Sequence, residues 1–153
     1  MKDTEKIGHS LERICMLFRN EIRLAGLEYG LQPVHLEVLF YLSRASNENN
    51  KPANVTEFLG ITKGSASQSI SLLAEKKLLI KRNDEYDRRI VHLELTLEGM
   101  SLARIAIPPK TIRQALENSQ ENQGEILQEQ LEELLCGIQK QVTNNKQLIK
   151  NKA

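Results

Sequence analysis

The sequence is short of most features that would mark a secreted scaffold, a membrane protein or an enzyme. It has two cysteines, Cys15 and Cys136. They lie far apart and outside any Cys-x-x-Cys or Cys/His pattern, which argues against a zinc site and against a disulfide framework. There is no run of about 18 apolar residues, and the N-terminal MKDTEKIGHS is charged where a secretion signal needs an apolar stretch. A cytoplasmic protein with no membrane partner is therefore expected. His9, His35 and His92 are scattered, no HExxH or GxGxxG motif occurs, and no serine sits in a nucleophile elbow. The run GITKGS resembles a phosphate-binding loop only superficially, because its lysine precedes the glycine. The expectation is a protein that is not an enzyme, with no catalytic residue, metal or cofactor. His35 reads as a helix residue and His92 as an outward strand residue.

An excess of one charge is missing too: the net charge of +1 names no partner by itself. Its distribution says more. Residues 61–92 carry seven lysines and arginines against four acids, a net of +3, whereas residues 117–140 carry one lysine against six glutamates, a net of −5. A basic middle and an acidic C-terminal segment point to a localised anion-binding face, although a basic segment of this size is often just a solvated surface.

What is present is apolar periodicity. The 153 residues suffice for a single domain with a real core. From about His9 to Glu28, Leu11, Ile14, Cys15, Phe18, Ile22 and Ala25 recur at helical spacing, with Gly26 inside the pattern and Gly30 closing it. Pro33 opens PVHLEVLFYLSRA, with a core stripe of His35 or Leu36, then Val38, Leu39 and Leu42. The polar SNENNK is a loop. Pro52 to Leu59 reads as a short helix turning Val55, Phe58 and Leu59 inward. After the Gly60-Ile61 break, Thr62 is a natural cap for a helix over 63–77. The runs LLIKR and RIVHLELT alternate as two strands of a hairpin, with Leu79, Val91, Leu93 and Leu95 inward. Thr96 then caps a helix to about Ile107, which Pro108-Pro109 must interrupt and Thr111 to Glu117 can resume. A last helix, about Asn122 to Lys146, carries Leu127, Leu131, Leu134, Ile138 and Val142, widened by Ile126 and Leu135. Packing within one chain is the plain account of these terminal stripes. A dimer interface is the sharper one, because so much apolar surface needs a partner.

Helix, short break, helix, hairpin is the order of a winged helix-turn-helix, whose second helix lies in the major groove of DNA. At 100° per residue, Ala66, Ile70, Leu73 and Lys77 share the core side of that helix. The other side carries Gly64, Ser65, Gln68, Ser71, Leu72 and Glu75. Serine and glutamine can exchange hydrogen bonds with bases or phosphates, and Gly64 removes bulk where a backbone nears a duplex. The helix N-terminus adds amides suited to a phosphate. Taken alone, this helix is a polar solvated face; its place between helix and hairpin favours DNA. The hairpin tip, NDEYDRR, sets Arg88 and Arg89 among Asp84, Glu85 and Asp87.

The run LGITKGSASQSISLLAEKKLLIKR, the turn ending DRR and the exit HLELTLEG together resemble the DNA-binding core of the MarR family of transcriptional regulators. The helical segments at both ends fit as well, so the similarity spans nearly the whole chain. It implies a mostly α fold with a small β-hairpin wing. Within one domain over 1–153, residues 33–96 would form the winged helix-turn-helix, and 1–30 and 97–153 the helical dimerisation region. It implies a triangular homodimer that reads a pseudo-palindromic operator on double-stranded DNA, a repressor released by a small-molecule effector. Lys63 and Gly64 would open the recognition helix, and Ser65, Ser67, Gln68 and Ser71 would meet the major groove or its phosphates. Asp87 would hold the arginines in shape, Arg89 would enter the minor groove, and Arg88 would sit beside a phosphate. A narrow minor groove concentrates negative potential, which suits an arginine without a base-specific partner. The sequence departs from the family at Lys77, where a helix-ending glycine is usual, at Leu72, where a polar or basic residue is common, and at Gln68, where no arginine follows Ser67. The operator sequence is therefore not carried over.

Two other readings are distinct in kind. One is a winged-helix module that binds protein and no DNA. The other is a redox sensor built on Cys15, which lies on the first helix as the reactive cysteine of the peroxide-sensing branch does. Only fifteen residues separate Cys15 from Gly30, which is short for that placement, and a cysteine on an apolar stripe is usually inert core. A ligand pocket is expected among the first two helices, the segment near Pro108 and the winged module, with Arg13, His35 and Tyr41 as loose candidates.

Overall fold

A computed structural model describes residues 3–108, 110–118 and 121–150. The elements in chain order are α1 (Asp3–Leu27), α2 (Pro33–Arg44), α3 (Pro52–Leu59), α4 (Lys63–Glu75), β1 (Leu79–Asn83), β2 (Val91–Leu95), α5 (Leu97–Ala106), α6 (Lys110–Glu117) and α7 (Glu121–Lys150). The fold is mostly helical with one small antiparallel hairpin. The chain divides into two compact units, residues 1–112 and 113–153.

In the first unit α2 is the hub, packing on α1, α3, α4, α5 and β2. Its Leu36, Val38, Leu39 and Leu42 are all buried, so the expected stripe holds with Leu36, not His35, at its start. Val55 of α3, Ala66, Ile70 and Leu73 of α4, Leu79 of β1 and Leu93 of β2 close around it. Leu78, between α4 and β1, is buried as well. Truncating a leucine such as Leu73, which is fully enclosed, removes a side chain whose loss typically costs about 2–5 kcal/mol.

Only the C-terminal half of α1 joins this core. Ile22 and Gly26 are buried, whereas Ile14 is exposed and so is Cys15. Gly26 interrupts an apolar pattern for a packing reason: a Cβ there would stand 2.5 Å from the Leu31 carbonyl oxygen, so only glycine lets the turn after α1 fold back. Phe58 corrects another expectation. It is 59% exposed, lying outside the core with its ring 4.6 Å from that of Tyr41.

Helix α4 stops at Glu75, two residues early, so Lys77 is exposed and not on the core side. Lys77 adopts φ +58°, and the Leu78 and Lys77 amides donate back to Leu73 and Ala74 at 2.9 and 3.0 Å. This is a left-handed helix stop of the Schellman kind with lysine where glycine is usual. Leu72 turns half inward and packs on the core. At the hairpin's far end Thr96 caps α5 by accepting from Gly99 N–H at 3.1 Å and donates to the Lys77 carbonyl at 2.9 Å. A Cβ on Gly99 would overlap the Leu78 carbonyl. The Leu-Thr-x-x-Gly exit thus clamps α5 onto the end of α4. The interruption after α5 falls at Ile107 and Pro108; Pro109 lies outside the described residues.

In the second unit α7 carries Ile126, Leu127, Leu131, Leu134, Leu135, Ile138 and Val142, each 40% exposed or more. Among the described residues no helix is long and apolar enough to cross a membrane.

Candidate nucleic-acid interface

Helix α4 begins where the sequence says it should. The Thr62 hydroxyl accepts from Ser65 N–H at 3.2 Å and lies 2.9 Å from the Ser65 hydroxyl. Such a cap satisfies one of the free amides of a first turn. Because Ala66, Ile70 and Leu73 point into the core, Lys63, Gly64, Ser65, Ser67, Gln68 and Ser71 are exposed together. Six of the candidate residues therefore form one polar face. A Cβ on Gly64 would meet nothing nearer than Thr62 Oγ1 at 3.9 Å, so that face is open over its first turn.

The hairpin stands beside this face, and one bond joins them: Lys81 Nζ donates to Ser71 Oγ at 3.1 Å. Lys81 lies on β1, opposite Leu93 in the register. With Lys63, Ser67 and Ile70 of α4, Pro52 and Thr56 of α3, and Val91 and Leu93 of β2, it lines a groove of about 320 Å³. Sequence reasoning counted Lys81 among the bases but did not place it at the site. Its place two residues after buried Leu79, on the same face of the strand, was the available signal.

At the wing tip the acids do separate jobs. Asp84 Oδ1 accepts from the amides of Tyr86 at 2.8 Å and Asp87 at 3.0 Å, an Asx turn that shapes the bend. Those two amides, Asp87 first, and then His92 hold the Asp84 carboxyl down to about 2, because each donor favours the ionised form. Asp87 Oδ1 accepts from Arg89 N–H at 3.0 Å and lies 3.9 Å from Arg89 Nε. The Arg89 side chain is nevertheless 96% exposed. Glu85 lies 3.9 Å from Arg82 instead, and Arg82 is clamped by Glu94 at 2.7 Å. Arg88 is exposed.

His92 departs from the outward position expected of it. Its side chain is 13% exposed, with Nδ1 2.7 Å from Asn50 Oδ1 and Nε2 3.0 Å from Asp84 Oδ2. Nothing in the sequence ties residue 92 to residue 50, whereas Asp84 at the head of a turn was legible.

The three loose ligand candidates are not gathered at one cavity. Arg13 is exposed on the N-terminal half of α1. His35 closes the start of α2, its Nδ1 accepting from Gln32 N–H at 3.0 Å. Burial first, and then Lys76, lowers the His35 pKa, which keeps that nitrogen free to accept. Tyr41 donates to the Asn49 carbonyl at 2.8 Å and borders a cavity of about 400 Å³ with Phe40, Arg44, Ala45, Ser46, Asn49 and Phe58. Neither Arg13 nor His35 lines it.

Short helix, left-handed break at Gly60, helix and two-stranded wing define a winged helix-turn-helix protein. The model of the MarR family matches residues 29–90, from the turn after α1 through the wing tip, so the winged module is similar to that family. The transcriptional repressor MprA of Escherichia coli K12 is 26% identical over 105 residues, 65% of this chain. This chain spans 59% of the length of that curated relative. Among solved structures, Streptococcus pneumoniae FabT in complex with DNA superposes with a TM-score of 0.71 at 22% identity, covering 90% of this chain and 99% of that one. The Staphylococcus aureus MepR–DNA complex superposes at 0.66 with 17% identity, over 85% and 96% of the two chains. Identities this low establish a shared fold and nothing finer.

Proposed function

We propose that this chain is a transcriptional regulator that binds double-stranded DNA as a homodimer, reads a pseudo-palindromic operator and represses until a small molecule releases it. The carrying observation is the wing tip: Arg89 is 96% exposed yet tied through Asp87, beside a helix whose whole outer face is polar and exposed. An exposed guanidinium on a backbone held in place, next to a polar helix face, suits a phosphate-lined groove better than a neutral partner. In this reading residues 33–96 bind DNA, with α4 in the major groove and Arg89 in the minor groove, and Lys63, Arg88 and the α4 serines contact phosphates.

Dimerisation by residues 1–30 and 97–153 is supported by apolar side chains left open in each segment. Ile7, Ile14, Leu17 and Leu24 of α1 are exposed, and so is the leucine stripe of α7. Faces of this size on a monomer mark interaction sites. Repression is the role carried by the name of the E. coli relative. The defining experiment selects duplexes from a random pool and titrates the winners with salt. Sites should be pseudo-palindromic with half-sites about one helical turn apart. Affinity should fall by orders of magnitude from low to physiological salt. Binding indifferent to salt, or no duplex binding, would sink the reading.

A further inference from the structure

The wing's arginine is connected to the body of the protein by a chain of hydrogen bonds that runs through His92. Asn50, between α2 and α3, is only 6% exposed, and its own carbonyl accepts from Leu93 N–H at 2.8 Å, which pins this loop to β2. From Asn50 Oδ1 the path crosses 2.7 Å to His92 Nδ1, then 3.0 Å from His92 Nε2 to Asp84 Oδ2. Asp84 Oδ1 takes the Asp87 amide at 3.0 Å, and Asp87 Oδ1 takes the Arg89 amide at 3.0 Å. Asp84 is ionised near neutral pH, its carboxyl held down to about 2, so it can only accept and His92 Nε2 must carry the proton. The Asn50 amide can meet Nδ1 with its oxygen or, turned over, with its nitrogen, so the ring is satisfied either way.

Beyond the ladder's last pair, Asn83 and Val91, Asp84 N–H donates to the Ile90 carbonyl at 3.0 Å and Ile90 N–H to the Asp87 carbonyl at 2.9 Å, bonds that close the tip on its own hairpin and do not refer it to the helices. Arg82, opposite His92, is committed to Glu94 and Glu85. A two-stranded ribbon is weak by itself. Its tip angle therefore depends on what ties it down.

The geometry points to His92 as a positioning residue for DNA binding, acting through Asp84 and Asp87 on Arg89 and referring the wing tip to the loop between α2 and α3 at Asn50. This rests on the DNA-binding reading above. His92 meets no DNA in this scheme; it sets the direction in which Arg89 arrives.

The test is a double-mutant cycle on duplex affinity with the full chain: wild type, His92→Phe, Arg89→Ala and the pair. Phenylalanine fills the site without either hydrogen bond. His92→Phe should weaken binding on the order of tenfold, within the roughly two- to hundredfold range of residues coupled in one network. In the Arg89→Ala background the same change should do almost nothing, because the residue it positions is gone. Normal affinity in His92→Phe, or a loss that adds in full to that of Arg89→Ala, overturns the inference. A merely structural histidine would give the additive result. A wild-type chain that binds no duplex overturns the DNA reading instead, and nitrogen NMR of the wild-type ring without DNA tells the two failures apart. There, a His92 Nε2–H protected from solvent and lost in Asp84→Ala is expected. A ring proton exchanging as in free histidine breaks the chain of bonds and overturns the inference even if His92→Phe fails to fold.

Discussion

Asp87 and Arg89 are joined at the wing tip: one carboxylate oxygen accepts the Arg89 amide at 3.0 Å and stands 3.9 Å from Nε of the same residue. An acid there opposes a polyanion at long range and orders the arginine at short range. Exposed ion pairs are worth about 0–1 kcal/mol, so both effects are small and their balance is measurable. Ordering should win, because the Asp87 bond fixes the Arg89 backbone from which the side chain projects. Asp87→Ala is expected to weaken duplex binding about two- to fivefold even though it adds positive charge. Fluorescence anisotropy against a selected operator decides it, and tighter binding by the variant refutes the ordering role.

Arg89 itself should behave as a contact and not as a structural residue. With its side chain almost wholly in solvent, Arg89→Ala should leave stability within about 0.5 kcal/mol of wild type. Affinity should fall by roughly 1–3 kcal/mol and the salt slope by about one per site. Thermal melts and titrations at three salt concentrations separate these outcomes. An unchanged slope would show that Arg89 does not meet phosphate-rich DNA.

Lys77 is one of the three positions at which the sequence departs from the MarR pattern, and its backbone is left-handed, φ +58°. The departure therefore leaves the geometry of the helix stop intact and places its burden on a side chain. A left-handed residue other than glycine is disfavoured by roughly 1–2 kcal/mol, part of which glycine returns through its freer unfolded chain. Lys77→Gly should stabilise by about 0.5–1 kcal/mol, visible as a rise of a few degrees in Tm. A lower Tm would mean that the Lys77 side chain makes a compensating contact.

The sequence made the winged module legible because its signals are local. Thr62 and Thr96 are caps one turn from the amides they hold, and Ala66, Ile70 and Leu73 repeat at the helical period. What escaped is what depends on distance. His92 and Asn50 are 42 residues apart, and no pattern of either segment records their meeting. Phe58 was misplaced for a related reason: periodicity gives its face of α3, but whether that face is covered depends on where Tyr41 of α2 ends up. Lys77 was misplaced because a helix wheel cannot show where the helix stops.

Acid should loosen the wing before it unfolds the core. The folded Asp84 carboxyl is held at about 2, below its ordinary value of 3.8. A lowered carboxyl pKa contributes stability that is complete above the unfolded value and is lost as pH falls through the folded one. Between about pH 4 and pH 2 the Tyr86 and Asp87 amides should therefore lose their acceptor. Amide NMR shifts at those two residues should move together in that window, and Asp84→Asn should flatten the response. Movement centred well above pH 4 would point to a different group.

Gly64 gives the sharpest separation between a solvated helix face and a groove-reading one. In the free protein a Cβ at this position has open space, its nearest neighbour being Thr62 Oγ1 at 3.9 Å. Gly64 lies in the first turn of α4, and alanine is the better helix former by about 1 kcal/mol in a helix interior. Gly64→Ala should accordingly fold at least as stably as wild type. If α4 enters the major groove, its first turn is where backbone and duplex come nearest, and an added methyl holds them apart. The variant should then combine an unchanged or higher Tm with weaker duplex binding. A merely solvated face predicts the higher Tm with no change in binding. The two readings thus share one outcome and part on the other, so a single glycine decides between them.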